Sequence, residues 1–215
     1  IFAFTITDKW GNISDTLKAA FTPLFEKELD KSKHKREVLP ADNNTDYSSG
    51  WLFSKLFDGV VGNNGWHTKQ NDPNQKIPLY FTIDLGVEAT LSRFKLWHRL
   101  GNNVYKNHNI KTFEVWGSRN YKKGMQENYW SEEWKNDWEL LGDYETFKPS
   151  GEDNPSVTNE DIAYAEAGFE FMVPIEKQRV RYVRFAMKSN WSGSNALHIS
   201  EITFYGDDRI NDINE

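Results

Sequence analysis

Short runs of alternating apolar and polar residues dominate this chain. The segment 78–118 contains three of them, and in one run Phe94 and Leu96 alternate with Lys95 and Trp97. A period of two places successive side chains on opposite faces of a strand. Because Gly, Asn and charged residues separate the runs, the segment predicts antiparallel strands joined by turns.

The same pattern continues along the chain with little helical periodicity. The strands that it predicts most clearly are 78–85, 91–100, 110–117, 179–188 and 197–205. Many short strands joined by polar links predict an all-β sandwich, and the sequence shows no βαβ pattern.

Two segments have helical features. The stretch DIAYAEAG predicts a short helix, with Thr158 or Asn159 as its cap and Gly168 at its end. In the polar, aromatic segment after residue 118, the tryptophans at 130, 134 and 138 have the spacing of one helical face.

The N-terminal segment is set apart from the rest. Residues 1–22 predict a hairpin, and an isolated hairpin is marginal in water. We interpret it as the end of a preceding β domain, followed by a charged connector, which gives three parts: 1–37, a sandwich over 38–207 and a tail over 208–215. The alternative is an extra edge hairpin of the main domain.

Composition excludes several classes of protein. The net charge is −6 with a pI near 5.5, so nothing favours nucleic-acid binding. Cysteine is absent, which excludes disulfides and thiol chemistry. No apolar run approaches the length of a membrane span. The chain begins without Met, so we expect it to be a piece of a longer protein.

One polar loop is a candidate binding surface. It follows the strand at 91–100 and carries Arg99, Asn107 and His108. A rigid sheet that presents such a loop is a common layout for a binding site, although an ordinary solvated loop has similar composition. No catalytic motif is present and the five histidines lack ligand spacing, so we expect no enzymatic activity.

Seven short motifs, taken in order, resemble the discoidin family, also called the coagulation-factor type C family. They are LFDG at 56–59, Trp66-His67, FTIDLG at 81–86, RFKLWHR at 93–99, FEVWGS at 113–118, RYVRF at 181–185 and EITFYG at 201–206. The resemblance implies a galactose-binding-like jelly-roll sandwich. FKPSG and AGFEF are more narrowly similar to an uncharacterised discoidin-like domain of gut-bacterial polysaccharide-utilisation surface proteins, in which an immunoglobulin-like domain comes first. The hairpin is similar to the end of that preceding domain.

The resemblance also implies a sugar site at the loops of one end. Arg99 stands at the position of the family's sugar-contacting arginine. A sugar needs bidentate hydrogen-bonding groups beside a flat aromatic ring. The expected ligand-binding residues are Arg99, Trp191, Asn107, His67, His108 and Asn190. The structural alternatives are an ion pair for Arg99 and a half-buried rim position for Trp191.

The family often holds a structural Ca²⁺, a cation that takes six to eight oxygen ligands. Asp58 and Glu201 match its carboxylate ligands, and Asn63 offers a side-chain oxygen. Val60 replaces an acidic residue of many relatives, which weakens the expected site. The alternative is that Asp58 caps the turn and Glu201 pairs with an arginine.

These observations together predict a non-catalytic carbohydrate-binding module at the bacterial cell surface. We expect it to be a monomer that binds glycan or polysaccharide and has no membrane span in this chain. The alternative is a structural or protein-docking module of a surface assembly without a sugar site.

Overall fold

The structure, a computed structural model, describes residues 2–20, 24–121 and 126–209. These ranges form antiparallel strands and one α-helix, α1 (Asn159–Ala167). The strands are β1 (Phe2–Phe4), β2 (Leu17–Ala19), β3 (Lys27–Glu28), β4 (Lys35–Glu37), β5 (Trp66–His67), β6 (Leu79–Trp97), β7 (Ile110–Ser118), β8 (Glu139–Glu145), β9 (Phe169–Met172), β10 (Val180–Asn190), β11 (His198–Ile199) and β12 (Glu201–Asp207).

Short 3-10 helices occupy several of the connections. They are Lys31–Lys33, Phe53–Phe57, Gly101–Asn103, Gln126–Trp130 and Glu133–Asp137. No helix among the described residues has the length and apolar character needed to cross a membrane. Residues 210–215, the larger part of the predicted tail, lie outside the described residues.

The long strand β6 belongs to both layers of the sandwich. Its first half pairs with β4 on one edge and β10 on the other, and β7 and β8 continue that layer. Its second half pairs with β9 and β12, and β3 pairs with β12. The predicted strands 78–85 and 91–100 are therefore the two halves of one element.

A glycine in the middle of β6 permits the change of partners. Gly86 has φ +71°, and a Cβ there would lie 2.6 Å from the Lys33 carbonyl oxygen. The Gly86 N–H donates to Asp84 Oδ1 at 2.8 Å. Arg181 in turn forms two hydrogen bonds of 2.9 Å with the Asp84 carboxylate. These contacts fix the backbone where the strand passes from one layer to the other.

Phenylalanine rings fill the space between the layers. Phe94, from the second half of β6, lies 5.8 Å from Phe185 and 6.3 Å from Phe113, both in the other layer. Phe81 stacks on Phe185 at 4.7 Å. All four side chains are almost completely buried. This core confirms the predicted β-sandwich.

The polar, aromatic segment after β7 covers the outer face of the sheet. Trp134 and Trp138 are buried there, whereas Trp130 is 75% exposed. The prediction that these three tryptophans share one helical face is wrong, because the segment forms two separate 3-10 helices. Below them the buried Arg184 forms a 2.5 Å ion pair with Asp42.

Helix α1 forms as its sequence predicts. The Thr158 hydroxyl accepts from the Asp161 N–H at 3.1 Å, and the Asp161 carboxylate accepts from the Thr158 N–H at 2.8 Å, which is a capping box. Gly168 ends the helix at φ +83°.

The N-terminal hairpin is a separate two-stranded sheet formed by β1 and β2. Its apolar side chains are exposed, with Phe4 at 52% and Ile6 at 76%. The predicted connector, by contrast, contributes β3 and β4 to the sandwich, and Leu29 within it is 1% exposed.

Two truncations test this division. A chain that begins at residue 24 loses the exposed hairpin and should keep the melting temperature of the full chain. A chain that begins at residue 32 also loses β3 and Leu29, and burial of one leucine alone is worth about 2–5 kcal/mol. Its melting temperature should therefore fall clearly. Equal loss of stability in both chains would show that the hairpin is integral to the sandwich.

Candidate functional site

Two very short strands bring histidines together at one end of the sandwich. In the pairing of β5 with β11, His67 lies opposite His198, and the two ring centroids are 5.4 Å apart. The His108 ring lies 5.0 Å from His67, edge to face. The half-buried Trp51 contacts both paired rings, at 5.8 Å from His67 and 5.3 Å from His198.

Burial keeps these histidines neutral. It lowers the pKa of His67 to about 4, with a smaller contribution from the positive charge of Arg99. It also lowers the pKa of His108, and that of His198 well below its usual value. His67 Nδ1 contacts the Thr68 carbonyl oxygen, which can only accept, so Nδ1 carries the proton and Nε2 is an acceptor.

Arg99 lies beside this group in a fixed orientation. Its Nε donates to Asn63 Oδ1 at 3.1 Å, and its guanidinium carbon lies 5.0 Å from the centre of the Trp51 ring. Its backbone N–H donates to Asn109 Oδ1 at 2.8 Å. Among the described residues, no side chain or carbonyl accepts a hydrogen bond from either terminal nitrogen of Arg99. Those nitrogens are available to a ligand.

A row of asparagines extends from Arg99 to the surface. Asn103 Nδ2 donates to Asn63 Oδ1 at 2.9 Å, and Asn107 Nδ2 donates to Asn103 Oδ1 at 2.8 Å. Asn107 is exposed and has φ +53°. The structure therefore brings Asn107 to the Arg99 site through Asn103.

Trp191 is half-buried at the edge of the core, which agrees with the rim position given as its alternative. Its ring packs against the main core, edge-on to Tyr105 at 5.0 Å. Its indole N–H donates to Thr146 Oγ1 at 2.9 Å. Non-local neighbours thus supply Trp191 with apolar contacts that the residues next to it in sequence do not show.

Asn190 holds the loop that contains Trp191. Its Nδ2 donates to the Ala196 carbonyl at 2.6 Å, and its Oδ1 accepts from the backbone N–H groups of Ser192 and Ser194. Its side chain is 4% exposed. The loop in turn presents the Ser194 hydroxyl 2.6 Å from His108 Nδ1. Asn190 thus acts on the site indirectly, by shaping this loop.

Sequence reasoning missed three contributors to the site. Trp51 was not among the expected binding residues, His198 was set aside for lack of ligand spacing, and Asn63 was assigned to a metal. The sequence does contain a signal for His198, because this residue alternates with buried apolar residues as in a strand. When that strand pairs with the Trp66-His67 strand, His198 lies opposite His67. The roles of Trp51 and Asn63 depend on loop conformation and have no signal in the sequence pattern.

The expected calcium ligands have other partners. Glu201 is 1% exposed, and its Oε1 lies 2.6 Å from the ammonium group of Lys31. Asp58 accepts from Lys55 Nζ at 2.9 Å and from the Val60 N–H at 3.0 Å, so it caps the turn. Asn63 is turned toward Arg99. The alternative reading of Asp58 as a cap agrees with these contacts, and the partner of Glu201 is a lysine.

This donor set does not fit a calcium site. Calcium takes six to eight oxygens, and here both carboxylates already face a protein cation, Lys55 at Asp58 and Lys31 at Glu201. No group of three or more histidine or acidic side chains in the described residues is arranged to hold a metal. Burial raises the pKa of Glu201 to about 7, although Lys31 opposes the shift. The positive charge beside Glu201 is thus supplied by Lys31, a residue of the chain itself.

Substitution of Lys31 tests its role. At pH 8, Lys31→Met should destabilise the fold by about 1.5–3 kcal/mol, the usual value of a hydrogen bond to a charged group. At pH 5 Glu201 is protonated in the folded chain, because its folded-state pKa is about 7, and Lys31 then meets no negative charge on that side chain. The loss caused by the substitution should therefore shrink toward pH 5. Thermal melts at both values measure it.

The exposed Lys33→Met is the matched control and should behave as wild type. Melting temperatures should also be the same in calcium and in chelator. A calcium-dependent rise, or an unaltered Lys31→Met variant, would contradict the assignment.

Comparison with known proteins agrees with the geometry. The chain is similar to the C. perfringens NanJ family 32 carbohydrate-binding module solved with galactose, at 15% identity and a TM-score of 0.56, covering 84% of this chain and 99% of that one. It is also similar to the C-terminal domain of a Bacteroides fragilis chitobiase, at 17% identity and a TM-score of 0.57, covering 86% and 100%. The fold is therefore a discoidin-like jelly-roll β-sandwich.

The particular family follows from sequence. The chain belongs to DUF5000, a domain of unknown function, which residues 54–206 match, and residues 1–32 match a second domain of unknown function, DUF5126. It is 33% identical to the Bacteroides SusE-like protein BT2857, with a TM-score of 0.74, covering 95% of this chain and 75% of that one. No protein of curated function is similar to the sequence.

Proposed function

We propose that this protein is a non-catalytic carbohydrate-binding module of a bacterial cell-surface protein, with its glycan site at Arg99. The observation that carries the proposal is the free pair of terminal guanidinium nitrogens on Arg99, beside a cluster of neutral imidazoles. Four segments that are distant in sequence meet there, through Trp51, His67, Arg99 and His198.

The groups at this site match the chemistry of a sugar. The planar guanidinium donates two parallel hydrogen bonds, which two adjacent hydroxyl oxygens can accept. His67 Nε2 already accepts from Gln70 Nε2 at 3.4 Å, so the exposed side-chain amide of Asn107 is the group that can serve a neighbouring hydroxyl. Neutral imidazoles, amides and one guanidinium give a site that suits an uncharged, multiply hydroxylated ligand. The site does not depend on the core-packed Trp191.

The relatives support this class of ligand and this location. The NanJ module was solved with galactose, and a C. perfringens module of the same fold was solved with GalNAc-β-1,3-galactose. The 33% identical relative is a SusE-like protein, which favours a place at the bacterial surface. Binding by imidazoles and amides requires no bond-breaking step, so the module serves as an anchor for glycan.

Substitution of Arg99 tests the site. Arg99→Ala should weaken binding by about ten- to hundredfold, because hydrogen bonds from a charged group are worth about 1.5–3 kcal/mol. Arg99→Lys should weaken it almost as much, since an ammonium group lacks the planar fork. The probes are galactose and GalNAc-β-1,3-galactose, titrated against ¹⁵N-labelled protein.

Arg119 provides the matched control, because its side chain is 68% exposed and pairs with Glu88 at the surface. Arg119→Ala should bind as wild type, and all variants should keep the wild-type melting temperature. A wild-type chain that gives no shift with either sugar or in a glycan array would instead support the protein-docking alternative. A large loss of stability in Arg99→Ala would make Arg99 a structural residue.

Binding should also depend on pH in a defined way. His67 faces His108, His198 and Arg99, and its folded-state pKa is about 4. Affinity should stay constant from pH 8 to about pH 5, then fall as His67 takes up a proton and repels Arg99. A decline centred near pH 6.5 would show that the histidines are solvated and titrate normally.

The control for this experiment is stability at each pH. In the unfolded chain His67 takes up a proton near pH 6.5, whereas in the folded chain it does so only near pH 4. Stability is therefore lost as the pH falls through that interval. Affinity is compared only where thermal melts show a folded protein.

A further inference from the structure

A groove separate from the Arg99 site lies beside the aromatic segment that covers the sheet. Its volume is about 760 Å³, which is within the range of small-molecule and glycan sites. Three segments line it, 41–45, 72–80 and 129–132, and none of the residues of the Arg99 site belongs to its wall.

The aromatic segment is anchored so that one tryptophan remains outside. Trp134 is 1% exposed and lies 5.2 Å from Trp116 and 4.8 Å from the guanidinium of Arg184. Trp138 donates its indole N–H to the Tyr129 hydroxyl at 3.1 Å. With its neighbours fixed, Trp130 remains at the groove with 75% of its surface exposed. An indole in this position adds little to folding.

The other two segments of the wall carry amides and apolar side chains. Asn44 and Asn74 are exposed, and their side-chain amides form no hydrogen bond within the described residues. Pro73, Ile77 and Pro78 add apolar surface. Each amide offers both a donor and an acceptor, which suits the hydroxyl groups of a sugar, and an exposed indole suits its C–H face.

The charges of the groove favour a neutral ligand. Asp42 is paired with Arg184 and Glu132 with Lys135. The other charged side chains on the wall, Asp72 and Lys76, are opposite in sign. A protein interface usually has several aromatic anchors at its centre, whereas here a single exposed indole faces amides and prolines.

The groove and the Arg99 site are connected through shared loops. Asn195 Nδ2 donates to the carbonyls of Asp72 and Gln75 at 3.0 Å, and the same loop presents Ser194 to His108. Thr45 lines the groove, while Tyr47, two residues later, lies 5.2 Å from the His67 ring. The two surfaces are therefore neighbours.

We propose that this groove is a second glycan-binding site, in which Trp130 stacks on a pyranose ring and Asn44 and Asn74 bind its hydroxyls. The inference rests on the proposed function for its class of ligand, a neutral polysaccharide. It adds a second, separate site at which the protein binds the same polysaccharide. A polysaccharide that contacts both sites gains affinity through effective concentration, and a single sugar does not.

Oxidative footprinting tests contact with Trp130 directly. Trp10 in the N-terminal hairpin is 76% exposed and so serves as an internal control. Limited N-bromosuccinimide should oxidise both tryptophans, as read by peptide mass spectrometry. Galactomannan, xyloglucan, arabinogalactan and α-mannan are the probes, and the one that binds should protect Trp130 but leave Trp10 reactive. Equal oxidation of both in the presence of a bound polysaccharide would overturn the inference.

Affinity electrophoresis in gels containing the same polysaccharides separates the two sites. Trp130→Ala and Asn74→Ala should each weaken retardation, the former by about tenfold or more. Trp10→Ala should migrate as wild type. Thermal melts check that the Trp130 and Asn74 variants remain folded, as expected for exposed side chains.

The outcomes distinguish this inference from the proposed function. If Arg99→Ala abolishes retardation and Trp130→Ala does not affect it, the groove is not a glycan site and the proposed function stands. If only Trp130→Ala abolishes it, the groove is confirmed and the Arg99 site is wrong. If no polysaccharide retards the wild-type chain or protects Trp130, the groove is not a glycan site and the exposed indole is left to a protein partner, while the proposed function is decided by the titrations with galactose and GalNAc-β-1,3-galactose.

Discussion

The structure depends on one strand that pairs in both layers. β6 runs for 19 residues and changes partners at Gly86. Leu79 at its start pairs with Met187, and His98 just after its end donates from Nε2 to the Ile110 carbonyl at 2.9 Å. Met187 and Ile110 both lie at the end of the layer where β10 and β7 meet. The two ends of β6 thus lie at the same end of the sandwich.

This arrangement explains why both candidate binding surfaces lie near each other. Tyr80, at the start of β6, forms part of the groove wall, and Arg99 follows the end of the same strand. The loop at 58–64 also depends on this strand, because Glu201 pairs with Trp97 of β6 and faces Asp58. Lys31 supplies the positive charge that the buried Glu201 requires. It therefore helps to hold the loop that carries Asn63, which in turn orients Arg99.

The sequence pattern could predict what depends on local periodicity. The strands around Phe94 and Phe185 alternate regularly, and the cap at Thr158 and stop at Gly168 have specific chemistry, so these elements form as expected. The continuity of β6 through Gly86 could not be predicted, because a glycine between two alternating runs is equally typical of a turn. The candidate site was predicted in part, since the expected residues Arg99, His67, His108 and Asn107 lie together there. The environments of Trp191 and Glu201 depend on Tyr105, Thr146 and Lys31, which are distant in sequence.

The tryptophans show how far composition leads toward function. Of the nine in the chain, Trp66, Trp134 and Trp138 are buried, and packing accounts for their presence. Trp97 and Trp191 are half-buried, but each donates its indole N–H to the protein. Trp10 belongs to a hairpin whose large apolar residues, among those that the structure describes, are exposed as well, so its exposure is shared by its surroundings. Trp130 differs from all of these, because a well-packed segment holds it in solvent at the edge of a groove. Packing therefore accounts for the position of its backbone and leaves the exposure of its ring to be explained by a ligand.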